Sequence, residues 1–273
     1  MKPAPARLII AVFAIVAPFA LRAATAVPPQ PFPYALDALG DGALIAGGLA
    51  LYGGSLYLQT LKPSPDKAAV DPATIPFFDR AYPSAPSATL SSVGNDLALG
   101  MAALPLVLLP GRSGDEMLDI GVMYFETLEL AYSVDSLLKS VVVRYRPYAY
   151  STSTPADFSN SDIIASFPSS HATLAFSAAV FTGIVFDKLN PDSNLRPLVW
   201  AGGLGLATAA SALRVMSGDH FLSDVVVGAA IGATSGFLLP YLHERSRAAA
   251  ANGSAPGFDI GPAPAGFIAT LRY

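Results

Sequence analysis

Three short polar stretches carry the residue types that do chemistry in this chain. The first runs from Lys139 through Arg144 and Arg146 to Pro147. The second is Phe167, Pro168, Ser169, Ser170 and His171 in succession. The third runs from Arg214 to Asp224 and contains His220. Ionisable groups beside long apolar segments are expensive to keep and default to function. His220 and Asp224 are four apart, which on a helix places them on one face. The carboxylate then holds one imidazole nitrogen, fixes the tautomer and leaves the other nitrogen free to attack. Arg214, six residues before His220, suits the oxygens of an anion. The same pair also reads as a cap or a packing pair, and spacing alone does not choose.

Pro168 and Ser169 stand directly before an apolar run. Serine is a good N-cap, and a helix amino terminus binds anions through its free N–H groups. His171 then falls in the first turn, within reach of a leaving oxygen as proton donor. The plain alternative is a capped helix with a surface histidine. Lys139 and Arg146 are two cations near one end of a segment that Pro147 closes, and they suit a dianion. An ion pair with Asp135, four residues earlier, is the other reading of Lys139. Arg144 reads as solvated or as a lipid-headgroup contact. Glu126 and Glu129 read as groups satisfied by neighbours inside a helix bundle, not as an acid and a base. Three cations, a helix amino terminus and two histidines, one backed by a carboxylate, suit phosphoryl transfer, in which charge stabilisation does most of the work. A metal centre is disfavoured, because the chain has 3 histidines and His243 falls on the opposite face. No His-Glu-x-x-His, P-loop or Gly-x-Ser-x-Gly pattern is present.

The elements that position these groups are apolar. Of 273 residues, 52% are hydrophobic and 13% charged, about half the charge of an average soluble domain. With a net charge of −4 and no long basic run, nucleic acid is excluded as a partner. The absence of cysteine removes disulfides, thiolate metal sites, cysteine nucleophiles and thioether lipid anchors. Six segments, near 43–61, 97–110, 117–138, 172–186, 195–213 and 225–242, are too long for strands and rich in small residues that let membrane helices approach closely. The fold class is therefore all-α, a membrane bundle of about five to six helices with the active site at one membrane face. Several segments fall short of the roughly 20 residues of a straight span, so buried helices of a soluble bundle are the alternative.

Residues 1–26 read as a signal peptide: Lys2 and Arg7, an apolar run, then Ala24, Thr25 and Ala26 as a cleavage site. An uncleaved anchor is the other reading. Residues 27–116 hold amino-terminal helices and an irregular loop over 62–92, 117–243 the helical core, and 244–273 a low-complexity tail ending in one loosely alternating stretch. Lys188, Arg196, Arg245 and Arg247 share a face if the segments alternate, and the positive-inside rule makes it cytoplasmic. A cleaved signal followed by six spans gives the opposite result. The expected resolution is that 43–61, broken by Gly47, Gly48, Gly53 and Gly54, does not fully span.

The three stretches together resemble the type 2 phosphatidic acid phosphatase superfamily. That family carries Lys-x6-Arg-Pro, then Pro-Ser-Gly-His, then Ser-Arg-x5-His-x3-Asp. The matches here are Lys139, Arg146 and Pro147; Pro168, Ser169 and His171, with Ser170 in place of glycine; and Arg214, His220 and Asp224, with Leu213 in place of serine. The likeness covers about 118–242. It implies a metal-independent mechanism without a cofactor. His220 attacks phosphorus and forms a phosphohistidine, Asp224 orients it, and His171 protonates the leaving group. Lys139, Arg146, Arg214, Ser169 and the amide of Ser170 hold the phosphate, and the Ser170 side chain narrows the pocket or adds a donor. The implied substrate is a lipid phosphate or pyrophosphate monoester met at the periplasmic side of a bacterial envelope membrane, with no protein partner indicated. A soluble periplasmic acid phosphatase and a non-catalytic membrane phosphate or lipid binder are the alternatives. A haloperoxidase fits less well, since those relatives are larger and less hydrophobic.

Overall fold

Polar caps and prolines cut the apolar chain into helices. The computed structural model describes residues 32–153, 156–244, 257–263 and 266–272. The expected signal peptide lies outside the described residues. Within them α1 spans Ala38–Thr60, α2 Ala88–Ala102, α3 Gly114–Val141, α4 Ser170–Leu189, α5 Arg196–Met216 and α6 Leu222–His243. The Asp37 carboxylate caps α1 by accepting from the Gly40 amide. Ser87 caps α2. Ser113 and Glu116 close a reciprocal box at the start of α3. Pro197 opens α5, where its missing N–H costs nothing.

Each expected segment corresponds to one helix, with one displaced boundary. The chain turns helical at Ala88, inside the loop expected over 62–92, and after Ala102 the second segment tightens into a 3-10 turn over Leu104–Leu108. The polar first half of α2 hid this start, because Ser91, Asn95 and Asp96 break the apolar pattern. The rest of the loop forms short 3-10 turns over Lys67–Ala69, Pro72–Thr74 and Phe77–Asp79, the first two capped by Asp66 and Asp71.

α4 is the central helix and packs on α2, α3, α5 and α6, while α1 lies along α3. An alanine-rich layer of Ala175, Ala179, Ala207 and Ala210 with Leu97 and Met101 joins α2, α4 and α5. Phe181, Val185, Ile120 and Met123 fill the space between α3 and α4. The α4–α6 contact depends on glycine. A Cβ on Gly228 would sit 2.5 Å from the Ser169 carbonyl oxygen and one on Gly236 2.7 Å from that of Ser177, while one on Gly232 would collide with the Thr173 carbonyl. Gly232→Ala is therefore expected to cost about 1–3 kcal/mol through forced helix separation. Gly205→Ala, which meets open space, is the neutral comparison. Thermal midpoints of the two variants in one detergent test this, and equal midpoints would contradict the close packing.

Four stretches are long and apolar enough to cross a membrane: Ala88–Leu108, Ser170–Leu189, Arg196–Met216 and Leu222–His243. α1, expected not to span fully, is not among them, and neither is α3. Large apolar side chains face outward along the bundle, including Leu49, Leu56, Leu99, Leu106, Leu198, Val226 and Phe237. Water penalises such a surface, and acyl chains do not.

The tail departs from the irregular segment with one terminal stretch expected for it. β1 (Gly257–Ala263) and β2 (Gly266–Arg272) pair antiparallel, with Ala263 opposite Gly266. The loose alternation of the last residues finds its partner in the chain just before them.

Candidate active site

α3, the amino terminus of α4 and the turn between α5 and α6 bring the three polar stretches together. After Met216 the chain turns at Gly218, whose φ of +81° lies in the left-handed region that suits glycine. The Asp219 and His220 amides both donate to the Arg214 carbonyl. His220 therefore lies in the turn, ahead of α6, so its four-residue spacing from Asp224 is not a shared helix face. This corrects the expected geometry.

The imidazole is 2% exposed. Its Nδ1 lies 2.7 Å from the Ser166 carbonyl oxygen, and its Nε2 3.1 Å from Arg146 Nη1. A carbonyl only accepts and a guanidinium only donates, so both contacts demand the same tautomer. The proton is on Nδ1, and the lone pair is on Nε2. Asp224 was expected to hold this ring directly, but its Oδ2 lies 3.7 Å from Nδ1. That oxygen instead accepts from the Ser166 hydroxyl at 2.6 Å and the Phe221 amide at 2.8 Å. The ring is oriented by a backbone carbonyl, and Asp224 supports it as a nearby negative charge. Burial pushes His220 well below the usual imidazole range, and Arg146, Lys139 and Arg214 push it further. The neutral ring is the form with a free lone pair.

The cations are held in place by backbone carbonyls and polar side chains. Arg146 donates to the Asp162 carbonyl from Nε, to Asp162 Oδ1 from Nη2 at 2.8 Å and to the Asp219 carbonyl from Nη1. Arg214 is 4% exposed and pairs with Asp219 at 3.0 Å. Its Nη1 donates to Asn95 Oδ1 at 2.6 Å and to Ser91, while its buried Nε has no partner among the described residues. The Ser169 hydroxyl is likewise buried and unpartnered. Buried donors without a partner are groups that an anion could satisfy. His171 is half-buried in the first turn of α4, near His220.

Two expectations for the helix terminus change. The Ser169 side chain does not cap α4. The Ser170 hydroxyl neither narrows the site nor adds a donor to it, because it donates to Asp135 Oδ2 at 2.6 Å. Thr173 donates to the other oxygen of Asp135. Asp135 is thereby occupied, and Lys139 makes no direct ion pair with it. Lys139 Nζ donates instead to the carbonyls of Ala165 at 3.1 Å and Pro168 at 2.6 Å, which leaves its third proton for a ligand.

Arg144 is not a solvated or headgroup residue. Its Nη1 meets Asp224 Oδ1 and its Nη2 meets Asp79 Oδ2, both at 2.5 Å, and it lies 4.6 Å over the Phe221 ring. Asp79 also accepts from the amide and hydroxyl of Ser223 in the first turn of α6. Asp79 and Asp224 are thus bridged by one guanidinium. Local spacing gave no signal for Asp79, Ser91 or Asn95, which come from the chain ahead of the three polar stretches. A buried Asp in a polar loop and two polar residues starting an apolar helix were the available hints.

The family model described as the PAP2 superfamily matches residues 121–248. The chain is 32% identical to the decaprenylphosphoryl-5-phosphoribose phosphatase of Mycobacterium tuberculosis over 51% of its own length and 67% of that protein. This chain belongs to the PAP2 superfamily. It is also 32% identical to the lipid A 1-phosphatase of Rhizobium johnstonii, over 47% of this chain and 55% of that one. A transmembrane PAP2-type phosphatidylglycerolphosphate phosphatase from Bacillus subtilis aligns over 86% of this chain and 94% of its own, with 18% identity and a TM-score of 0.37. The chain is a phosphatase of this superfamily.

One pH dependence follows for this PAP2 site. Burial lowers Lys139 from 10.5 to about 8, against the opposing pull of Asp135 and with further lowering by Arg146. Lys139 is charged below that value and neutral above it, so any hold it has on a phosphate dianion weakens as pH rises through about 8. The kcat/KM profile is expected to fall on this alkaline side, and Lys139→Arg should move the fall upward. An unchanged profile in that variant would remove Lys139 from phosphate binding.

Proposed function

We propose that this PAP2 phosphatase hydrolyses a phosphate or pyrophosphate monoester carried on a lipid, through a phosphohistidine at His220, with the site facing the periplasm. The carrying observation is the tautomer. Nδ1–H is committed to the Ser166 carbonyl, and the Nε2 lone pair points into a cluster of cations. Arg146 occupies that lone pair in the free protein. An incoming phosphoryl group offers the guanidinium better acceptors and takes its place.

In the first step Nε2 forms a bond to phosphorus as the bond from phosphorus to the leaving oxygen breaks. His171 gives that oxygen its proton. The imidazolium that results keeps its Nδ1 proton on Ser166, with the Asp224 charge behind it. Lys139, Arg146, Arg214, the Ser169 hydroxyl and the first amides of α4 stabilise the equatorial oxygens. In the second step His171 takes a proton from water, whose oxygen attacks phosphorus and returns Nε2 to its neutral form. No step needs a metal.

Three observations support a lipid substrate: the apolar outer surface, the four membrane-length stretches, and the lipid phosphates named for the two curated relatives. The outer surface also counts against a soluble acid phosphatase. For orientation, Lys188 pairs with Glu244, so the ends of α4 and α6 meet at the end of the bundle away from His220. Arg196 follows Lys188 closely in sequence and Arg245 and Arg247 follow Glu244, and the positive-inside rule makes that end cytoplasmic.

The test is phosphate release in detergent from phosphatidic acid, a polyprenyl pyrophosphate and a small chromogenic monoester, with an acid-labile, base-stable phosphoenzyme trapped by rapid quenching. Release from a lipid with label on His220 is the expected result. Turnover of the small ester alone would overturn the lipid reading, and turnover without a trapped intermediate at any quench time would overturn the covalent one.

A further inference from the structure

A second polar cluster is buried far from His220. Asp41 in the first turn of α1, Glu126 in α3 and His243 at the end of α6 are all buried, and one donor atom from each lies within 4.8 Å of the others. His243 Nε2 is 3.1 Å from Asp41 Oδ1 and 3.1 Å from Glu126 Oε2. Glu126 stands 13 positions before Lys139 on the same helix, about 20 Å along its axis at 1.5 Å per residue. The cluster therefore belongs to the other end of the bundle.

Three features suit this cluster to a cation. His243 Nδ1 donates to the Leu239 carbonyl at 2.8 Å, so Nε2 is the nitrogen that faces both carboxylates: it donates to Asp41 Oδ1 at 3.1 Å when it carries a proton and offers a lone pair when a cation takes that proton's place. A backbone acceptor on the far ring nitrogen is the usual support of a metal-bound histidine. Glu126 is 1% exposed, yet neither of its oxygens has a hydrogen-bond partner among the described residues. Oε2 is near Nε2 without the geometry of a hydrogen bond, and Oε1 has nothing. Among the described residues, no lysine or arginine pairs with Asp41 or Glu126. Two buried carboxylates sharing one imidazole hold a surplus negative charge that the interior of a membrane bundle penalises heavily.

We propose that Asp41, Glu126 and His243 bind one divalent first-row metal ion, zinc or manganese, which ties α1, α3 and α6 together at the end opposite the phosphatase site. One imidazole with two carboxylates is a mixed nitrogen–oxygen donor set that suits these ions better than magnesium or calcium. Both 3.1 Å separations are close to the edge of a tetrahedral zinc site, about 3.4 Å for bonds of roughly 2.1 Å. The ion's charge cancels both carboxylates, and its bonds use the orphaned Glu126 oxygens. Its role is structural and takes no part in phosphoryl transfer.

The test is metal content of the full chain, produced with zinc or manganese in the medium, purified in non-ionic detergent without chelator and desalted. About one ion per chain is expected in the wild type and in His220→Ala, and less than about a tenth of that in Glu126→Gln and His243→Ala. Chelation is expected to lower the thermal midpoint of the wild type and leave that of Glu126→Gln unmoved. His243→Cys should recover zinc. Metal lost from His220→Ala would place the ion at the active site and overturn the proposal. A metal-free wild type, or full metal content in Glu126→Gln, would also overturn it and leave a protonated His243 shared between the carboxylates. A metal-free wild type or metal lost from His220→Ala overturns the proposal even if the other variants fail to fold.

Discussion

Replacing His220 with alanine is expected to lower phosphate release by roughly 10⁴-fold or more, the scale on which removing a covalent nucleophile acts. The affinity for inorganic phosphate or vanadate should change far less. Alanine removes Nε2 but leaves Lys139, Arg214 and the Ser169 hydroxyl in place, and it frees Arg146 Nη1 from its contact with the ring. The trapped phosphoenzyme should disappear with the turnover. A variant that kept a hundredth of wild-type activity would show that water attacks phosphorus directly and that His220 only positions it. Full loss of anion binding would instead mean that the imidazole holds the site together. The buried contact of Nδ1 with Ser166 makes that outcome readable as a lowered thermal midpoint.

Arg144→Met is expected to cost about 3–5 kcal/mol of stability, the usual result of stranding buried charges. The side chains of Asp79 and Asp224 are both fully buried, and Arg144, itself 20% exposed, is the cation they share. Without it two carboxylates face each other around Ser223. Activity should fall with stability, because Asp224 also receives the Ser166 hydroxyl beside the His220 ring. Adding Asp79→Asn to Arg144→Met removes one stranded charge and should recover part of the loss, so the double-mutant cycle should give a large coupling energy. Denaturant midpoints in a fixed detergent measure stability, and kcat at permissive temperature measures the site. A loss below about 1 kcal/mol in the single variant would rank the contact with ordinary surface pairs.

The sequence was sufficient for several conclusions, and each was local. Residue type and spacing marked the three stretches that hold Lys139, Arg146, Ser169, His171, Arg214, His220 and Asp224. Runs of Ala, Leu, Val and Gly marked the helices that carry them. Spacing within one stretch of chain constrains which groups can be neighbours, and an apolar run longer than a strand constrains the element. The richness of the segments in small residues was legible for the same reason, while the contact of Gly228, Gly232 and Gly236 with α4 came from the structure.

Tertiary structure decided the partners. Nothing near His220 in sequence indicates that Nδ1 will meet a carbonyl 54 residues away rather than Asp224. Arg144 sits two residues from a motif arginine, but its role depends on Asp79, which a polar loop brings over the start of α6. Ser91 and Asn95 reach Arg214 only because α2 packs on α5. Asp41, Glu126 and His243 are unremarkable one by one, and they form a cluster only because α1, α3 and α6 meet at one end. A chain can encode local order in its residue pattern. The charge that faces each buried group is set by packing between distant segments, because burial removes water and leaves whatever the neighbouring helices supply.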